Sequence, residues 1–133
     1  MHRTTIALIA LFMVGCTTTT GRTESDAIGD FIQVSELEER EAIRSLDDFD
    51  YEFLTERYFI VKAGRDQYLG QFRRPCREFN QSNNVPWDVR YERNTLRSRF
   101  DTIRGCRIDK MFALDETQAE ELRAIGRAPG EED

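Results

Sequence analysis

Alternating apolar and polar stretches facing each other across a turn, two cysteines available to one another, and a capped amphipathic segment near the end predict a mostly β (α+β) protein. The expected architecture is a small antiparallel sheet or partly closed barrel with a short C-terminal helix, stapled by one disulfide. The chain has 133 residues, 39% hydrophobic and 33% charged, which allows one domain and places it among soluble globular chains rather than membrane spanners.

The order of elements starts with a leader. His2 and Arg3 precede an apolar run at 6–14 and then Gly15 and Cys16. Nine apolar residues in a helix rise about 14 Å, well short of a hydrocarbon core of roughly 30 Å, so the run is read as a signal-peptide core and not a span. Met13-Val14-Gly15-Cys16 resembles the bacterial lipoprotein signal, with Met13 where leucine is usual. Gly15 would leave a peptidase unobstructed, and the Cys16 thiol would take a diacylglyceryl group. An ordinary secretory peptide with a chance cysteine is the competing reading. By the same resemblance, Thr17 after the cysteine favours the outer membrane, facing the periplasm, over the inner one. Residues 1–15 are thus expected to be removed, and 16–30, rich in Thr, Gly, Ser and acid, to form a lipidated tether.

A single compact domain is expected over residues 31–126. Ser35-Glu36-Leu37-Glu38 has the spacing of a capped helical turn. Ala42-Ile43-Arg44-Ser45-Leu46 and Tyr51-Glu52-Phe53-Leu54 are short strand candidates on either side of an acidic turn, Asp47-Asp48-Phe49-Asp50. Tyr58-Phe59-Ile60-Val61-Lys62, the turn chemistry of Gly64-Arg65-Asp66, and the alternating Gln67-Tyr68-Leu69-Gly70-Gln71-Phe72 predict an antiparallel hairpin. The Asn-rich residues 80–86 predict a loop. Leu96, Ser98 and Phe100 alternate with Arg97, Arg99 and Asp101, as a half-buried strand does. Another strand should follow the turn at Arg104-Gly105, over 106–112. Asp115-Glu116-Thr117-Gln118 opens the last helix with cap-box spacing, Ala119, Leu122 and Ile125 share one face, and Gly126 is its stop. Residues 127–133 form a polar tail.

With Cys16 committed to lipid, Cys76 and Cys106 remain as an even pair in an oxidising compartment, and no Cys-x-x-Cys spacing suggests redox or metal work. The loop they would close spans 31 residues, for which chain entropy gives an upper figure of about 3.7 kcal/mol. The sole histidine is His2, in the segment expected to be removed. The working protein then has no imidazole, which excludes Ser/His/Asp and Cys/His nucleophile pairs, His-containing zinc sites and a histidine switch.

The order Tyr68-Leu69, Pro75-Cys76, Phe100-Asp101-x-Ile103 and Cys106-x-Ile108, behind a lipoprotein signal, resembles small proteobacterial envelope proteins grouped as domain of unknown function 6491. The likeness covers roughly residues 40–114, and the Asn-rich insertion departs from the pattern. The resemblance implies a compact, mostly β periplasmic domain with its two cysteines paired, and no activity.

Net charge is −6, which argues against a surface built to track nucleic-acid phosphates. Charge is also segmented: residues 23–56 hold 12 acids and 2 bases, 57–110 hold 6 acids and 13 bases, and 111–133 hold 7 acids and 2 bases. Acidic ends folded against a basic middle would explain this by neutralisation alone. The sharper alternative is a basic face for an anionic envelope component, lipopolysaccharide phosphate, phospholipid headgroup or acidic protein, carried by Arg73, Arg74, Arg77, Arg97 and Arg99, whose planar forks grip phosphate or carboxylate. Asp47, Asp48, Asp50 and Glu52 are numerous enough for calcium but lack EF-hand spacing. Trp87, Tyr91 and Tyr68 could stack on sugars, though a single Trp more often serves the core. No cofactor, metal or nucleic acid is expected. The functional expectation is a lipid-anchored periplasmic accessory or interaction module without catalysis, and the alternative is a hydrolase of cell-wall or surface glycans using paired carboxylates.

Overall fold

The structure is a computed structural model and describes residues 23–77, 89–90 (backbone) and 94–126. The leader, Cys16, the Asn-rich loop, Trp87, Tyr91 and the tail lie outside the described residues. No helix among those described is long and apolar enough to cross a membrane.

The first element is a helix that begins inside the expected tether: α1 spans Glu24–Val34. Thr23 caps it through a capping box, its hydroxyl accepting from the Asp26 amide while the Asp26 carboxylate accepts from the Thr23 amide. Ile28 is buried, and Phe31 and Ile32 pack beside it at helical spacing. Three apolar positions thus convert a polar, tether-like segment into a docked element. Ser35 ends this helix, donating its amide to the Phe31 carbonyl. The helical turn expected at 35–38 is therefore absent, and Glu36 takes φ of +49° there.

Among the described residues eight strands follow: β1 (Ala42–Arg44), β2 (Phe49–Phe53), β3 (Tyr58–Ala63), β4 (Asp66–Phe72), β5 (Val89–Arg90), β6 (Thr95–Arg97), β7 (Thr102–Ile103) and β8 (Cys106–Leu114), then helix α2 (Glu116–Gly126). The predicted hairpin is β3 and β4, paired from Tyr58↔Gln71 to Ala63↔Asp66. Residues 49 and 50 belong to β2 rather than to the acidic turn, because Phe49 is buried against the sheet. The alternation across 96–101 is strand only to Arg97. Arg99 takes φ of +68° and leaves Phe100 76% exposed.

One antiparallel sheet runs β2-β3-β4-β8-β7-β5, and β1 and β6 form a separate two-stranded ribbon. The sheets curl into a half barrel. Long β8 is the hinge of the arrangement. Its first residues pair with β7, and farther along it meets Glu39 through an isolated bridge at Phe112. Strand alternation sends side chains to two cores. Ile43, Phe49, Phe59, Val61, Phe72, Leu96, Ile103, Ile108 and Met111 bury on the ribbon side, whereas Ile28, Leu54, Tyr58, Ile60, Leu69, Phe112, Ala119 and Leu122 bury under the helices.

The cap predicted for the last helix is present, with the Asp115 amide donating to Gln118 Oε1 at 2.9 Å and the Gln118 amide to Asp115 Oδ1 at 2.7 Å. Arg123 fastens this helix to the sheet. Its Nε donates to both Glu52 oxygens at 3.1 and 3.0 Å, and its remaining nitrogens reach Gln67 at 2.7 Å and Glu120 at 2.6 Å. Burial works to lower its pKa, but the hydrogen bonds and charges of Glu52 and then Glu120 outweigh it and leave the pKa raised. Glu52 is thereby engaged, which takes it out of the acidic group formed with Asp47, Asp48 and Asp50. Arg123→Ala is expected to lower stability by about 1–3 kcal/mol, with Lys recovering only part because it lacks the fork. Thermal melting of both variants checks this, and equal loss in the two would contradict the role given to the fork.

Candidate anion-binding groove

Beyond Phe72, β4 cannot continue: Arg73 and Arg74 bend away, and Pro75 has no amide to add to a ladder. The chain then turns so that the Cys76 amide donates to the Glu56 carbonyl at 2.7 Å. Cys76 is fully buried and is bonded to Cys106, with Cα atoms 5.9 Å apart. The disulfide predicted from sequence is present.

Cys106 is placed by the two-residue turn of Arg104 and Gly105, at φ of +49° and +81°. Two consecutive left-handed residues suit the twist of a tight hairpin, and glycine makes the second inexpensive. Ile103 and Cys106 are then cross-strand partners. Ile108 faces the ribbon-side core, so by alternation Arg107 points the other way and is exposed. The Arg73 amide donates to the Arg107 carbonyl at 3.0 Å, which sets the two arginines side by side.

The result is an open groove of about 430 Å³ lined by Arg73, Arg74, Pro75, Gly105, Cys106 and Arg107. Arg73, Arg74 and Arg107 supply its charge, and no acid among the described residues lines it. Of the expected basic face, Arg73, Arg74, Arg77, Arg99 and the additional Arg107 form no ion pair among the described residues. No carboxylate among the described residues is ion-paired with these five, and bringing like charges together without a counter-charge costs stability unless an anion supplies it.

The five predicted arginines are not one patch. Arg77 is exposed just after Cys76 but does not line the groove. Arg97 and Arg99 line a second hollow of about 290 Å³ with Glu41, Ala42, Ser98 and Phe100. Successive carbonyls of a strand point to opposite edges. Arg107 accepts from Arg73 on one edge of β8, and Ile108 accepts from Arg99 at 2.7 Å on the other. The two arginine groups thus flank the same stretch of β8. Arg107 went unpredicted, although its parity opposite Ile108 in a predicted strand marks it as outward-facing. A third hollow of about 320 Å³ is lined, among the described residues, by Arg44, Ser45, Leu46, Asn94 and Thr95. Among the described residues that line these three hollows, Glu41 is the one carboxylate.

A family model described as a family of unknown function (DUF6491) matches residues 1–129, which agrees with the resemblance drawn from residues 40–114 and extends it. No curated protein and no solved structure matches the chain.

Proposed function

The chain belongs to the family of unknown function DUF6491, and we propose that it is an outer-membrane lipoprotein, anchored through Cys16 and facing the periplasm. There it acts as a non-catalytic accessory module that binds an anionic component of the envelope. The observation that carries the binding role is the groove beside the disulfide. Arg73, Arg74 and Arg107 line it, and among the described residues none of the three is ion-paired and no acid joins them there. Guanidinium forks so placed suit phosphate or carboxylate oxygens in bidentate fashion. Anchoring would raise the effective concentration of the module near any partner in the same membrane or wall.

Two measurements test the two halves of this reading. The intact mass of the chain purified from its native host should show cleavage before Cys16 and the added acyl groups, and an unmodified N terminus there would remove the anchor. Photo-crosslinking in cells from position 75, which lines the groove and leaves its arginines in place, should capture an envelope component. Reversing charge at Arg73 and Arg74 should reduce that capture several-fold, and added salt should weaken it as well. Capture indifferent to both would count against the groove as the binding surface.

A further inference from the structure

We propose that the groove docks on the phosphate headgroups of the same membrane surface to which the chain is anchored, an inference that rests on the lipid-anchor reading above. The argument begins with where the chain enters the fold. Thr23 caps the first helix, and the Ser25 hydroxyl donates to the Thr55 hydroxyl at 2.9 Å. This places the entry point on the turn between β2 and β3. That same turn receives the Cys76 amide on the Glu56 carbonyl and the Phe72 amide on the Arg57 carbonyl, at 2.7 and 2.9 Å. Entry point, turn, disulfide and arginine groove therefore share one end of the sheet.

Reach decides which end faces the lipid. Because the helix starts at Glu24, the chain from position 16 to Thr23 can reach at most about 25 Å. A domain of this size has a radius of gyration of about 13 Å, hence a width of 30 Å or more. A tether shorter than the domain is wide keeps its own end toward the surface, and that is the end bearing Arg73, Arg74 and Arg107. On the other edge of β8, Phe100 stands exposed between Arg99 and the following Asp101, in the hollow that Arg97 and Arg99 line. An apolar ring beside cations suits the headgroup and acyl boundary. Glu24, Asp26 and Glu56 lie at this end too. Asp26 is held in the capping box, and neither glutamate lines the groove.

The test uses the mature chain, residues 16–133, with Cys16→Ser so that only the protein surface can bind. It should co-sediment with phosphatidylcholine vesicles containing phosphatidylglycerol, and not with phosphatidylcholine alone. Rising salt should release it. Each arginine near an anionic surface is worth roughly fivefold in affinity, so Arg73→Gln, Arg74→Gln and Arg107→Gln together should weaken binding about a hundredfold. The three Lys replacements, which keep the charge, should retain most of it and show that the loss is not misfolding. Phe100→Ala should weaken vesicle binding without changing its salt dependence. Inorganic phosphate should compete no better than chloride at equal ionic strength. Displacement by phosphate beyond that level would assign the groove to a soluble anion, and equal binding to neutral vesicles or unchanged binding by the Gln variant would overturn the proposal. The mass at Cys16 is read separately, so loss of the anchor and failure of the groove are distinguishable.

Discussion

Gly70→Ala is expected to destabilise the domain by about 3 kcal/mol, although it adds one methyl group to a strand. Gly70 sits directly across from Phe59, and a Cβ built there would overlap three atoms of that ring. The ring has nowhere to go: Phe59 is fully buried, with Phe72 stacked at 4.6 Å between centroids and Tyr51 at 6.4 Å. Overpacking a filled core typically costs 1–3 kcal/mol, and displacing a buried aromatic ring belongs at or above the top of that range. For a domain of about 100 residues this corresponds to a melting temperature lower by some 12–20 °C. Glycine is needed for space and not for backbone freedom, since no positive φ is recorded at this position. Phe59→Leu should therefore partly rescue Gly70→Ala in a double-mutant cycle. A Gly70→Ala protein that melts with the parent would show that the ring is not held as described.

Cys76→Ala with Cys106→Ala is the second large effect, with an expected loss of about 2–4 kcal/mol. The bond joins the bend that follows β4 to the start of β8, and those two strands are already paired along most of their length. It therefore adds little to their alignment. What it restrains is the intervening chain, which carries β5, β6 and β7, and the bend that sets Arg73 beside Arg107. Cys76 is also fully buried, so a reduced, unsubstituted chain should keep more stability than the double alanine. Thermal melts with and without reductant separate entropy from packing. Unchanged melting after reduction would mean that the strands alone fix this end of the sheet.

The hairpin of β3 and β4 was legible because its signal is local: β-branched and aromatic residues flank a turn that glycine opens at φ of +65°. The final helix was legible for the same reason, Asp115 and Gln118 capping each other within one turn. The first helix was misread as tether because its apolar face is only Ile28, Phe31 and Ile32. That stripe becomes decisive only once Leu54, Tyr58 and Leu122 are present to receive it. The strand expected through Phe100 failed for the converse reason. Its alternation was correct, but the Arg99 amide turns aside to the Ile108 carbonyl, a partner nine residues farther along the chain.

The basic segment shows the same division. The family likeness, the mostly β class and the concentration of arginine in the middle of the chain were legible before any fold was known. The likeness rests on the motifs around Tyr68, Pro75, Phe100 and Cys106, and the other two follow from composition or short-range spacing. The grouping of Arg73 and Arg74 with Arg107, the placing of Arg97 and Arg99 across β8 with Phe100, and the position of Thr23 at the groove's own end had to await the folded chain. Those are facts of strand parity and long-range hydrogen bonding, because a side chain's neighbours across a sheet are set by register, and register is fixed by the cores on the two faces.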